Sequence, residues 1–127
     1  MEKIKTKYSA ASNAHYSPGI KHKGVLYVSG QLSLDPETGK VPPGGIGAET
    51  KQALENLELV LQSANLGRED VLMCRVYITD IADWPEANQV YADFFGDHKP
   101  ARAMIPVRPL YADCLVEIEA VAAAERT

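Results

Sequence analysis

The sequence predicts an α+β fold, a mixed β-sheet with two helices packed on one face. Three observations carry this. Ala53, Leu54, Leu57, Val60, Leu61 and Ala64 recur at helical spacing. Residues 71–78 are apolar on both alternating rows, as a strand covered on both sides would be. The segments follow the order ββ–α–β–α–ββ, which suits one sheet with its helices gathered on a face. A chain of 127 residues is expected to form one domain over residues 1–127 with a single core.

Residues 4–8 read as a short first strand, and the small, polar residues 9–14 as a loop. Residues 16–20 and 25–29 are extended runs joined by Lys21-His22-Lys23-Gly24, a hairpin with Gly at its tight position. Ser29-Gly30-Gln31 ends the second run; a Gly there marks either close backbone approach or a plain bulge. Asp35-Pro36-Glu37-Thr38-Gly39 has strong turn chemistry. The first helix is expected over residues 47–64, with Glu49, Lys51, Glu55 and Glu58 on its polar side and Asn65-Leu66-Gly67 as its stop.

In residues 71–78, Leu72, Cys74, Val76 and Ile78 alternate with Val71, Met73, Arg75 and Tyr77. Asp83-Trp84-Pro85-Glu86 has the composition of a helix start: a capping Asp, Pro in the first turn and Glu three residues on. Ala87, Val90, Tyr91 and Phe94 form the inward stripe of that helix, which ends near Gly96. Residues 100–107 and 115–120 then read as two strands of a terminal hairpin turning near Pro109 and Leu110. With both helices on one face, the other would carry Val71, Met73 and Tyr77 into water, which points to self-association.

Composition narrows the function. The chain is 46% hydrophobic and 24% charged with a net charge of −4, ordinary for a soluble protein and unfavourable to nucleic acid as main partner. No apolar run reaches the roughly 18 residues of a membrane span, and the first residues lack the apolar centre of a signal peptide, so the expectation is cytoplasmic. Cys74 and Cys114 read as small buried hydrophobes. His15, His22 and His98 are scattered, and with no paired-His or CxxC spacing no metal site is expected.

Chemistry centres on Arg102 and Glu117. In a hairpin the two would come opposite or nearly so. A guanidinium fork can hold a carboxylate bidentately, and a partly desolvated Glu can move protons near neutral pH. A structural cross-strand ion pair fits the same spacing. Glu119 shares the face of Glu117, and alternation does not distinguish them.

Pro100-Ala101-Arg102-Ala103-Met104, Arg108, Leu110 and Val116-Glu117-Ile118-Glu119-Ala120 resemble the signature of the RidA (YjgF) family of reactive-intermediate deaminases. The resemblance extends to Tyr16, Ser29-Gly30-Gln31, Asn88, Tyr91 and Phe94-Phe95. It implies a chorismate-mutase-like fold, a homotrimer with sites between subunits, and hydrolysis of reactive 2-imino acids (2-iminobutanoate, 2-iminopropanoate) to 2-keto acids and ammonia. No metal or organic cofactor is implied. Arg102 would bind the substrate carboxylate and Glu117 would orient or activate the water. Tyr16 of a neighbouring subunit, Ser29, Gly30, Asn88 and the Met104 backbone would complete substrate binding. The chain departs from the pattern at Met104, where the family has Cys, and at Ala103, where it has Ser, so a thiol role there is impossible and pocket size is altered. Three alternatives stay open: an RNA-acting member, a binding protein that has lost catalysis, and a specialised deaminase, for example of 2-aminomuconate.

Overall fold

The computed structural model describes residues 1–9 and 14–125, so most of the expected loop over residues 9–14 lies outside the described residues. The elements run β1 (Glu2–Ile4), β2 (Gly19–His22), β3 (Val25–Leu32), α1 (Gly45–Ser63), β4 (Val71–Ile78), α2 (Trp84–Phe95), β5 (Ala101–Pro106) and β6 (Val116–Ala123). They form one sheet in the order β1-β2-β3-β6-β4-β5, antiparallel except between β4 and β5. Both helices lie on one face, as the periodicity predicts, and the core fills the layer between. The first strand is Glu2–Ile4 rather than residues 4–8.

Lys23 and Gly24 close the β2–β3 hairpin with φ of 48° and 77°, the two-residue turn whose twist matches the strands it joins. Helix α1 starts two residues earlier than its spacing suggests. It stops where expected: Asn65 turns left-handed at φ 60°, the Leu66 N–H donates to the Leu61 carbonyl at 2.9 Å, and Leu66 is buried against the helix end.

Two placements on the sequence wheel are overturned. Glu49, assigned to the polar side, stands one turn before Ala53 on the buried stripe; it is itself buried. Its carboxylate accepts hydrogen bonds from the Ser33 hydroxyl at 2.8 Å and the Leu115 N–H at 2.9 Å. Val71, expected on the bare face, is fully buried. A register shift against β6 between Val71 and Met73 turns it inward and sends Leu72 out, 52% exposed. At the start of α2, Asp83 makes no side-chain cap; Asp80 caps the preceding short turn through Ala82 N–H at 2.9 Å. Glu86 reaches across to accept from the Gly47 N–H at 3.1 Å, tying the two helix starts together.

The expected terminal hairpin does not form. β6 inserts between β3 and β4, and β5 pairs in parallel with β4 alone, from Met73↔Ala101 to Ile78↔Pro106. The reason is burial. β4 is apolar on both rows, and β6 buries Val116, Ile118, Ala120 and Ala122 under the helices, so these two strands take central places. β5, bracketed by Pro100 and Pro106 and buried at no position, suits an edge. Residues 107–115 step over the end of β4, where Val107 N–H donates to the Ile78 carbonyl and Thr79 N–H to the Leu115 carbonyl. The face away from the helices carries Tyr27, Met73, Tyr77, Ile105 and Val121, none of them buried.

Candidate active site

Arg102 sits on edge strand β5 opposite Cys74 of β4, which in turn faces Ala120 of β6. All three project to the helix side. There α2 supplies a cradle. Arg102 Nη1 donates to Asn88 Oδ1 at 2.8 Å, and the guanidinium carbon lies 4.9 Å from the Tyr91 ring centre and 5.4 Å from that of Trp84. Residues 84, 88 and 91 are one helical stripe. Among the described residues no carboxylate pairs with Arg102, so the rest of its five donors stay open.

Met104, two residues along β5, packs partly into the core on the same side. Burial pushes the Cys74 thiol up to about 11, so at neutral pH it is uncharged and unreactive. Cys114 is also buried and free. Lys99, His98 and Gly96 complete the hollow beside Arg102.

Glu117 occupies a different place. Its β4 neighbour is Tyr77, and Tyr77's β5 neighbour is Ile105, all on the bare face. The hollow there is lined by Tyr16, Ser29, Gly30, Leu32, Tyr77, Glu117 and Glu119. A bulge in β3 between Val28 and Gln31 opens it. A Cβ at Gly30 would stand 2.9 Å from the Glu117 carboxyl carbon, so only Gly leaves the carboxylate its room. Both readings of Gly30, bulge and close approach, hold at once.

The two acids of β6 differ. The Tyr77 hydroxyl donates to Glu119 Oε1, and Arg75 Nη1 lies 3.8 Å from the same oxygen. Glu117 makes no side-chain hydrogen bond among the described residues. Burial, and then the Glu119 charge, push its carboxyl above the usual Glu value. The Ser29 hydroxyl is engaged with the Ser17 carbonyl at 2.6 Å, and Tyr16 is 60% exposed at the rim.

The candidates therefore divide. Tyr16, Ser29, Gly30 and Glu117 share one hollow; Arg102, Asn88 and Met104 share the opposite side. Trp84 and Tyr91 were not singled out as neighbours of Arg102, although their spacing around Asn88 was readable once a helix was assigned. Arg75 and Tyr77 as partners of Glu119 needed the register of β4 on β6, which no local pattern carries.

An α+β sheet of this strand order, with Arg102 held by Asn88 at one edge and Glu117 on its bare face, defines a class of small two-layer domains. Sequence comparison identifies which: the chain belongs to the family described as Endoribonuclease L-PSP, the YjgF/RidA family, whose profile matches residues 6–124. It is 42% identical over 107 residues to a RutC family protein of Pyrococcus horikoshii, covering 84% of this chain and 85% of that one. It is 37% identical over 119 residues to the 2-iminobutanoate/2-iminopropanoate deaminase of Rattus norvegicus, covering 94% and 87%. Among solved structures, E. coli TdcF with bound serine superposes with a TM-score of 0.91 at 30% identity over 100% of both chains.

Proposed function

We propose that this protein hydrolyses reactive 2-imino acids and their enamine tautomers to 2-keto acids and ammonia, in sites built by two subunits of a homotrimer. The observation that carries the reading is the guanidinium of Arg102, aromatic-walled, held by Asn88 and facing no carboxylate among the described residues. A cation kept this way is an anion receptor in waiting. The deaminase named among the relatives and the serine bound by the structural relative support a small carboxylate as the anion.

Arg102 fixes the substrate carboxylate and so sets the imine carbon at a constant distance from the acid. With the imine protonated, Glu117 takes a proton from water as the water oxygen bonds to that carbon and the C=N π pair moves to nitrogen, giving a neutral carbinolamine. Its amino nitrogen then accepts the proton from Glu117, and the C–N bond breaks with its electron pair leaving on ammonia. The ionised Glu117 takes the hydroxyl proton as the new C=O forms and passes it to solvent. Water and imine are consumed; keto acid and ammonia leave. Glu117 suits this better than Glu119, whose oxygen is already engaged by Tyr77 and Arg75. Burial, and then the Glu119 charge, raise the Glu117 carboxyl above the usual Glu value, which makes its carboxylate a stronger base toward water.

The direct test is turnover of freshly generated 2-aminoacrylate by wild type and by Arg102→Ala. Ammonia or pyruvate release that is fast in wild type and at the spontaneous rate in the variant is the expected result; equal rates in both overturn it. The family's description favours RNA cleavage as a second reading, which the net charge of −4 opposes. A salt-dependent RNA affinity with cleavage in the absence of imine turnover would select it.

A further inference from the structure

We infer that Trp84 is a positioning residue for the carboxylate site: its indole forms the outer wall that holds the Arg102 guanidinium flat against α2, and its loss weakens binding of small carboxylates. The inference rests on the anchor role of Arg102 proposed above and adds a determinant that the motif residues do not include.

Arg102 needs such a device. It stands on an edge strand with neighbours on one side only, and its long side chain carries about 2 kcal/mol of rotamer entropy. One hydrogen bond, to Asn88, fixes a single nitrogen and leaves the plane free to swing. Two rings remove that freedom. Tyr91 lies beneath, buried in the core at 4.9 Å, and Trp84 lies at 5.4 Å, both within the range of cation–π attraction. Cation–π attraction over a ring uses none of the N–H groups, so those not taken by Asn88 are left for a carboxylate.

The position of Trp84 argues against a purely structural role. It is 36% exposed and belongs neither to the buried core nor to the residues packed behind it. A large aromatic so placed stands outside the core cluster, and the cation over its ring is the one the site depends on. Tyr91, in contrast, is a core residue and would confuse any test by loss of fold.

Trp84 is the only tryptophan in the chain, so its fluorescence reports the Arg102 site without labelling. In the full-length protein, titration with propanoate should change wild-type emission saturably, and Arg102→Ala should abolish the change. Steady-state kinetics with 2-iminobutanoate should show KM raised roughly 3- to 30-fold in Trp84→Ala, with kcat changed less and the melting temperature held. Trp84→Phe should recover most of the loss, whereas Trp84→Leu, apolar but without a ring face, should not. Kinetics of Trp84→Ala within about twofold of wild type, or equal rescue by Leu and Phe, overturn the inference while the deaminase reading stands. If imine is not turned over, calorimetric propanoate affinities of the same variants decide: weakened in Ala and Leu but not in Phe, they uphold the inference while the deaminase reading falls.

Discussion

Arg102 and Glu117 project from opposite faces of one sheet. Between them runs β4, so the two side chains are separated by about 10 Å of strand spacing as well as by the thickness of the sheet. No side-chain rotation joins them within a protomer. A shared site therefore needs the edge of one copy against the bare face of the next, a head-to-tail contact that closes into a ring when the rotation allows.

That geometry makes complementation a sharp test. Arg102→Ala and Glu117→Gln should each be inactive alone. Co-refolded in equal amounts, they should regain on the order of a quarter of wild-type activity if the proposed trimer forms, because random mixing then places one intact Arg against one intact Glu at a single interface of each mixed trimer. Sites contained within one chain would regain nothing.

Gly30→Ala should lower kcat/KM at least about tenfold with the fold retained, because the new methyl would displace a carboxylate that must sit close to its substrate. The methyl would stand 2.9 Å from the Glu117 carboxyl carbon and 3.0 Å from its oxygen. Circular dichroism and the melting temperature check that the loss is local. A fully active Gly30→Ala would remove the argument for close approach.

What the sequence carried was local and periodic. The stripe from Ala53 to Ala64, the alternation of residues 73–78 and the Lys23-Gly24 turn each announce themselves within a few residues and stand where expected, whereas the register shift before Met73 exchanges the faces of Val71 and Leu72. The pairing of β5 and β6 was misread because a turn-rich connection between two strands looks the same whether they are neighbours or flank a third. Only the competition for central places in the sheet, decided by β4 and the buried row of β6, distinguishes them. Arg102 and Glu117 were legible as motif residues for the family, whereas their opposite faces follow from topology. Glu49 was missed for a simpler reason: a carboxylate on a helix reads as polar surface until its partners, Ser33 and Leu115, arrive from distant strands and turns.

Those partners make Glu49 a strong stability determinant. Glu49→Ala would strand the Ser33 hydroxyl and the Leu115 N–H, the first buried and the second partly so. At about 1–3 kcal/mol for each buried donor left unsatisfied, the variant should lose roughly 2–5 kcal/mol in denaturant unfolding. Glu49→Gln, which keeps an acceptor oxygen, should lose less. The Leu115 bond fixes the entry to β6, so the Ala variant should also lose activity.

Glu117 sets the last prediction, in pH. Its carboxyl is raised in the folded protein, first by burial and second by Glu119, so the folded state favours the protonated form. The acid limb of kcat/KM should therefore lie above the ordinary Glu value of about 4.3. Glu119→Gln, by removing the neighbouring charge, should move that limb to lower pH. Stability follows the opposite course from activity. A raised carboxyl contributes its favourable term below the unfolded value, and that term is lost as pH rises through the folded one. Glu117→Gln, which has no charge to desolvate, should thus unfold later than wild type at pH 7, with the gap closing toward pH 4. An inactive variant that is more stable only where wild-type Glu117 is ionised would identify the charge as kept for chemistry at the expense of the fold. Equal stability across that range would mean that Glu117 is solvated in the assembled protein and has no raised carboxyl to exchange protons.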